Sequence, residues 1–549
     1  MTNKELADLL FPNVNKTIED YEKMYPERNL KEGAIVSRFA PSPTGFVHMG
    51  SLLTSFIAYK VAKDTNGVFY VRIEDTDQKR SVENGIEGIV DDLKNFEIPI
   101  DEGVVGEHLQ IGEYGPYIQS ERKEIYETFA KYLVENDLAY PCFCTEEEIE
   151  RMRTIQEAGK ERLGYYGHWA KCRHLTNEQR KEKILNGEKY IIRLKSPGHF
   201  TNKVVVNDLV RGTIEFPEND LDIVLIKSDG LPLYHFAHLV DDHLMRTTHV
   251  LRGEEWVSSL PVHLQLFKVF GFKPPKYAHL GLVMKIDEEG VRRKLSKRKD
   301  PEAAVSYYHE QGIPIDAVKL YLMTIANSNF EAWMDANPGK SIDDFPFNFK
   351  KISESGSLFD VEKLKNISKN YISRMKATEV YDKTLLWAKE YDHEFAALLE
   401  KYKDYAIAIF NIEREQKKPR KDYESFSSIK KEVWYMFDEL FTNGIHYEFS
   451  ENVNKEEIRM ILKEYIHNYY NQDDDKETWF NKMKDLAEHF GYAREVKEYK
   501  NNPENYKGHV GDISMILRVS LTSKTTTPDL YQIMQLLGKE RLQERFERI

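Results

Sequence analysis

The chain has 549 residues, of which 41% are hydrophobic and 31% charged, and its formal net charge is −13. That length exceeds what one core sustains and predicts roughly three to five modules, while the composition excludes a disordered chain. No apolar run nears the ~18 residues that span a bilayer, and an acidic, mixed N-terminus is unlike a leader peptide.

In chain order, residues 1–33 read as a short helical extension. The segment 34–40 (Ala-Ile-Val-Ser-Arg-Phe-Ala) has the β-branched and aromatic character of a buried strand and runs into the turn Pro41-Ser-Pro-Thr-Gly45. Helical patterning follows over about 51–65. Gly67 marks a turn, and 68–73 (Val-Phe-Tyr-Val-Arg-Ile) reads as a second strand. Strand, turn, helix, strand opens a parallel βαβ unit. A mixed stretch, 114–220, then interrupts the pattern and holds all three cysteines. Strand character returns at 223–226 and 248–252. From about 300 onward the chain turns helical, with amphipathic segments near 314–326, 359–375 and 380–410 and a charged final helix over 528–549.

Two motifs carry the chemistry. In the first, Arg38-Phe-Ala-Pro-Ser-Pro-Thr-Gly-Phe-Val-His48-Met-Gly50-Ser51, a strand and turn deliver an imidazole and a glycine backbone to a helix start. Free N–H groups and a partial positive charge make that place suitable for ATP phosphates. A His-x-Gly triplet alone is as well explained by a structural histidine in a proline-rich turn. The second, Lys294-Leu-Ser-Lys297-Arg298 after Arg292-Arg293, clusters cations that would stabilise departing pyrophosphate. By itself such a run also describes a solvated basic face.

Together, about 245 residues apart, the two resemble the paired signatures of class I aminoacyl-tRNA synthetases. The Arg-Phe-Ala-Pro-Ser-Pro-Thr-Gly form is similar to that of the glutamyl-tRNA synthetases; glutaminyl enzymes usually show Pro-Pro-Glu-Pro-Asn-Gly. Further matches follow in family order. They are Arg72-Ile-Glu-Asp-Thr-Asp77, the segment from Gly115 to Arg122, Ser228-Asp-Gly-x-Pro-x-Tyr234, Val240 to Met245, Thr248 to Trp256, Leu358 to Leu364, and Leu536-Leu-Gly-Lys-Glu540. The resemblance spans about 34–549. Three places depart from the idealised pattern: Met49 and Ser51 replace Ile and a second His, Leu295 and Arg298 replace Met and Ser, and His238 stands where many members have Asn.

The resemblance implies a multidomain α/β plus α architecture. After the extension (1–33) come a Rossmann-type catalytic half (34–113), an inserted acceptor-arm-binding domain (114–222), and the second catalytic half (223–300). A stem-contact region (301–375) and a helical anticodon-binding region (376–549) complete it. The implied reaction attaches L-glutamate to tRNA(Glu) through a glutamyl-adenylate, with ATP and Mg²⁺, in a cytoplasmic monomer. His48, Gly50, Lys294 and Lys297 are the expected catalytic residues, with Ser51 joining His48, Gly50 and Lys297 on ATP. A paralogue that modifies a tRNA base lacks the anticodon half, whereas this chain continues ~175 residues beyond Arg374. A dead RNA-binding relative would not need His48, Gly50 and both lysines.

Glutamate has two carboxylates and an ammonium, so its pocket needs two cations and an anion. Arginine's planar fork suits a carboxylate. Arg38 and Arg252 are the candidates, with Tyr234 adding a hydroxyl, and the resemblance places Arg252 on the side-chain carboxylate. Glu74 is the expected ammonium partner, helped by Ser42, and Ala40 and His238 complete the expected pocket.

Cys142-x-Cys144 and, 28 residues on, Cys172-x-His174 fit the ligand chemistry of a structural zinc ion. Three reduced, buried cysteines and a surface histidine are the alternative. Some bacterial glutamyl-tRNA synthetases carry the same arrangement in the insertion. Net acidity does not exclude a nucleic-acid partner, because binding depends on local patches. Arg414, Lys417, Lys418, Arg420 and Lys421, beside Tyr423 and Phe426, form one candidate for tRNA contact; a solvated loop explains them equally well.

Overall fold

The computed structural model describes every residue except 45, 46, 78, 80, 81, 297, 298, 355, 443, 444, 451 and 452. The chain divides into two compact units. One comprises residues 1–307 with 319–360; the other comprises 308–318 with 361–549.

The first unit begins with α1 (Asn3–Leu10) and α2 (Ile18–Met24). Each opens with a capping box, Thr2 with Glu5 and Thr17 with Asp20, which satisfies helix N–H groups that would otherwise lack partners. The extension is tied down by polar contacts. Arg28 grips Glu102 through two bonds of 2.7 and 2.9 Å, and Arg246 reaches Glu22 at 2.5 Å.

The βαβ unit forms where expected. β1 (Val36–Phe39) leads through α3 (Met49–Asp64) to β2 (Val68–Val71), and the strands pair in parallel, Val36 opposite Val68 and Arg38 opposite Tyr70. All four residues of β1 are buried, as in a strand covered on both faces. α4 (Gly85–Asn95) follows. It leads to β3 (Glu102–Gly106), parallel to β2, and β4 (Leu109–Ile111) closes that edge antiparallel to β3.

The interruption contains α5 (Lys123–Glu135), β5 (Ala139–Cys142), α6 (Glu146–Ala158), α7 (Asn177–Leu185) and β6 (Ile191–Leu194). A hairpin of β7 (Lys203–Asp208) and β8 (Gly212–Pro217) and the short β9 (Val224–Ile226) follow. β5, β6 and β9 make an antiparallel sheet, so the chain leaves and re-enters the parallel layer through it.

Re-entry runs through α8 (Tyr234–Leu244) to β10 (His249–Gly253), then α9 (Leu260–Phe270) and β11 (Lys276–Leu280), which pairs in parallel with β10. The Thr248 N–H donates to Val36 O at 3.0 Å, setting β10 beside β1. Connections therefore leave β1 toward β2 on one side and arrive at β10 on the other. Such a switch point opens a crevice at the carboxyl ends of the strands. A last small sheet joins β12 (Val283–Ile286), β13 (Arg292–Lys294) and β14 (Ser357–Leu358).

The second unit is helical. Its core gathers Phe395, Leu399, Phe410, Ile461, Tyr465, Leu517 and Leu537 from helices between Val361 and Glu547. Among the described residues, no helix is long and apolar enough to cross a membrane.

Candidate active site

A cavity of about 380 Å³ lies at the carboxyl ends of β1, β10 and β11. Of the residues expected in the site, it is lined by Arg38, Ala40, Ser42, His48, Gly50, Ser51, Glu74, Tyr234, Arg252 and Lys294. These come from points up to about 250 residues apart, and the fold brings them together. His238 does not line it. That side chain is fully buried one turn along α8, its ring stacked on Tyr234 at 5.6 Å. Lys297 lies outside the described residues.

His48 is the N-cap of α3, and its Nδ1 accepts from the Ser51 N–H at 3.1 Å. That bond sets the neutral ring as the Nε2–H tautomer, so the ring presents a donor. A side chain on Gly50 would stand 3.2 Å from the His48 ring, which is why the backbone here is left bare. Opposite, Lys294 ends β13, exposed and facing the cavity. Beside it, Asp300 accepts from Arg293 at 2.6 and 2.8 Å and from the Ser296 N–H at 2.8 Å. The Arg293 guanidinium holds the Asp300 carboxyl well below the usual range.

The floor holds a buried charge cluster. Asp242 Oδ1 accepts from Arg72 at 2.7 Å and from Arg38 at 3.3 Å. Arg72 also donates to Glu74 Oε1 at 3.0 Å. The neighbouring Asp241 is satisfied by Arg122 (2.7 Å), Gln119 (2.8 Å) and Tyr126 (2.8 Å). Burial would raise the Asp242 carboxyl, but Arg38 and Arg72 outweigh it and hold the group well below the ordinary range. Glu74 moves the other way: burial pushes its carboxyl up against the pull of Arg72. Arg38 thus arrives with a carboxylate already on it.

Arg252 is arranged differently. It is 5% exposed, and its donors meet three neutral acceptors: Nη1 to Tyr234 Oη at 3.1 Å, Nε to His279 Nε2 at 2.9 Å, and Nη2 to His263 Nδ1 at 3.1 Å. Among the described residues, no carboxylate pairs with it. The rings of Tyr277 and Trp256 lie 5.0 and 5.9 Å from the guanidinium. Burial keeps His263 and His279 below the ordinary imidazole range, and it pushes His235 down to about 4 and His238 down to about 3. A buried cation surrounded by uncharged acceptors is incomplete without an anion.

Residues 34–366 match the family model for tRNA synthetases class I (E and Q), catalytic domain, and residues 394–549 match the anticodon binding domain. The chain is 48% identical to the glutamate--tRNA ligase of Clostridium beijerinckii over 550 residues, covering all of this chain and 99% of the relative. It is equally similar to that of Acetivibrio thermocellus, with full coverage of both. The chain belongs to the glutamate--tRNA ligases of class I. Its fold agrees. A crystal structure of the glutamate tRNA ligase from Elizabethkingia meningosepticum, in complex with its amino acid, superposes with a TM-score of 0.76 at 28% identity, covering 94% of this chain and 99% of that one.

Two other expectations meet the structure unevenly. Cys142, Cys144 and Cys172 gather with their sulfurs within 4.8 Å of one another, and the Cys142 thiol is pulled down by hydrogen bonds from Cys144 and Cys172. His174 is not among them; its ring is exposed and reaches Gly167 O at 3.3 Å. Tyr165 is there instead, its hydroxyl 3.2 Å from Cys144 Sγ and 3.5 Å from Cys142 Sγ. Cys-x-His spacing drew attention to position 174, while a tyrosine beside the sulfurs has no comparable sequence signature.

In the second unit, Lys417, Lys418 and Lys421 are exposed and line a cavity with Arg374 and Lys376. The other two candidates are engaged. Arg414 donates to three backbone carbonyls (Phe410 and Ile372 at 2.7 Å, Met375 at 3.1 Å), and Arg420 pairs with Asp422 at 2.5 Å. Sequence reasoning also passed over Glu255 and Trp256, which line the active cavity, and over His263 and His279.

Proposed function

We propose that this chain activates L-glutamate with ATP in the cavity at the ends of β1, β10 and β11, and passes the glutamyl group to the 3′-terminal ribose of tRNA(Glu). The observation that carries the reading is Arg252, a buried cation at the cavity that pairs with no carboxylate among the described residues. It receives the substrate side-chain carboxylate. Glu74, with Arg72 on one oxygen, offers the other to the substrate ammonium, and the arriving cation relieves a carboxyl that burial disfavours. His48 donates to ATP phosphates at the start of α3, while Lys294 and Lys297 stabilise the charge on departing pyrophosphate. Magnesium, where bound, neutralises phosphate oxygens. The chain's contribution is positioning and electrostatics.

The test is Arg252→Cys with saturating tRNA and ATP. Removing one partner of a desolvated pair costs ~2–5 kcal/mol, roughly thirty- to several-thousand-fold in kcat/KM for glutamate. Glutamine, uncharged at that end, loses much less, so the preference narrows. Equal slowing of both substrates would make Arg252 a scaffold only.

The three thiols fit zinc, with Tyr165 rather than His174 next to them. A bound ion would tie β5 to the segment around Cys172 and supply local folding energy. One zinc per chain is expected, lost in Cys172→Ser together with order over 140–175. Metal analysis of protein prepared without chelator checks this, and a reading near zero favours plain buried thiols.

A further inference from the structure

The acceptors around Arg252 form a longer chain than the cavity requires. His279 is held from behind: its Nδ1 lies 2.6 Å from Asp208 Oδ2. Asp208 is itself fixed by the N–H groups of Val210 and Arg211, each at 3.0 Å to Oδ1. Because Nδ1 donates to that carboxylate, Nε2 carries the lone pair that accepts from Arg252. His263 works by a parallel route. Its Nδ1 accepts from Arg252, so its Nε2–H donates to His235 Nδ1, 2.9 Å away. Two imidazoles from two different elements, α9 and β11, are thus locked as hydrogen-bond acceptors on one guanidinium. Both are 0% exposed.

His263 meets His235, His238 and Tyr234 from α8 and Arg252 from β10. His279 meets Asp208 from β7, Tyr277 on its own strand and Arg252. Charged groups also reach these rings from further off, Asp242 toward His263 and Arg211 toward His279. Burial and the neighbouring Arg252 charge keep both imidazoles neutral. A carboxylate in either place would hold Arg252 equally well, but would also cancel the charge that the substrate must meet. Asp242 does this to Arg38 and Arg72.

We propose that His263 and His279 are positioning and specificity-determining residues: they aim Arg252 with neutral acceptors, so that its full charge is kept for the side-chain carboxylate of glutamate. The inference rests on the assignment of Arg252 made above. Asp208 is a positioning residue one step further back, because its charge selects the His279 tautomer that accepts.

The experiment compares His263→Asn with His263→Asp, and adds Asp208→Asn and Arg252→Cys, measuring KM and kcat for glutamate and for glutamine at saturating tRNA and ATP. In His263→Asn the amide oxygen takes the place of Nδ1, and glutamate kcat/KM stays within about tenfold of wild type. His263→Asp keeps the hydrogen bond but supplies an internal counter-charge. Glutamate then loses roughly thirty-fold or more, mainly in KM, while glutamine changes little. Asp208→Asn presents an N–H to His279 Nδ1, turns the ring so that a donor faces Arg252, and lowers the glutamate preference without altering the shape. This variant keeps the question answerable if His263→Asp does not fold. Equal losses in His263→Asn and His263→Asp, or an unchanged glutamate preference in Asp208→Asn, overturn the inference. An unchanged preference in Arg252→Cys overturns the assignment of Arg252 itself, and that arm separates the two failures.

Discussion

Two buried arginines, Arg38 and Arg252, share one cavity, and their surroundings are opposite. Arg38 shares Asp242 with Arg72, and Arg72 also holds Glu74. Among the described residues, Arg252 donates to a phenol and two imidazoles. In the first neighbourhood charge is settled within the fold. In the second it is left outstanding, and the fold bears the cost of a buried cation until a ligand arrives. The type of residue does not distinguish these roles. What it donates to does.

The largest effect should come from breaking the settled side. Asp242→Ala takes the carboxylate from the buried Arg38 and leaves Arg72 with Glu74 and Asp241, and losing one partner of such a cluster costs ~3–5 kcal/mol. Hydrogen exchange at β1 and β2 should accelerate strongly, and glutamate and glutamine should suffer alike. The pH dependence follows from the same group. Its folded carboxyl lies below the ordinary range, so its stabilisation is fully present above the unfolded value, ~3.9, and is lost as pH falls through the lower folded value. Wild type should therefore draw on Asp242 undiminished from neutrality down to about pH 4. Asp242→Ala should lack that part of its acid transition.

The outstanding side should respond in the reverse way. Arg252→Cys removes a buried charge that has no ionic partner among the described residues, and its stability cost should be within ~1 kcal/mol, even as glutamate selection collapses. Unchanged thermal midpoints with a large kinetic loss would sharpen the comparison. A loss of stability as large as that of Asp242→Ala would erase it.

Much of this was legible in the sequence, for identifiable reasons. β1 and α3 are specified locally, by a β-branched run and by helical patterning, and they form close to where they were read. The site residues Arg38, Glu74, Tyr234 and Arg252 each sat in a motif, and the fold brings them to one cavity. The imidazole partners of Arg252 were not legible. His263 and His279 lie on separate elements, and a histidine's role as acceptor depends on what stands behind its other nitrogen, here His235 and Asp208. The same blindness explains His174, for which spacing suggested a ligand, whereas Tyr165 stands beside the sulfurs. Position 238 misled in a related way, since the ring supports Tyr234 from beneath without reaching the cavity.

The same contrast, at smaller amplitude, governs the basic cluster of the second unit. Arg414 spends its donors on the carbonyls of Phe410, Ile372 and Met375, and Arg420 is paired with Asp422, so both have their donors met within the fold, as Arg38 has. Lys417, Lys418 and Lys421 have no ionic partner among the described residues and share a cavity with Arg374 and Lys376. In a chain of net charge −13, an exposed group of cations without counter-ions is where a polyanion would gain most from releasing its own condensed ions. Replacing Lys417, Lys418 and Lys421 together by Ala should weaken tRNA binding modestly. It should also reduce the slope of log affinity against log salt by about 0.7–0.9 for each phosphate that is no longer neutralised. Amino-acid preference and stability should not move. Arg414→Ala should do the opposite, loosening its part of the second unit with little change in salt slope. Binding isotherms for tRNA(Glu) at several salt concentrations decide the matter. If the triple substitution left the slope unchanged, these lysines would be a solvated face, and absence of a partner would not by itself mark a cation as reserved for a ligand.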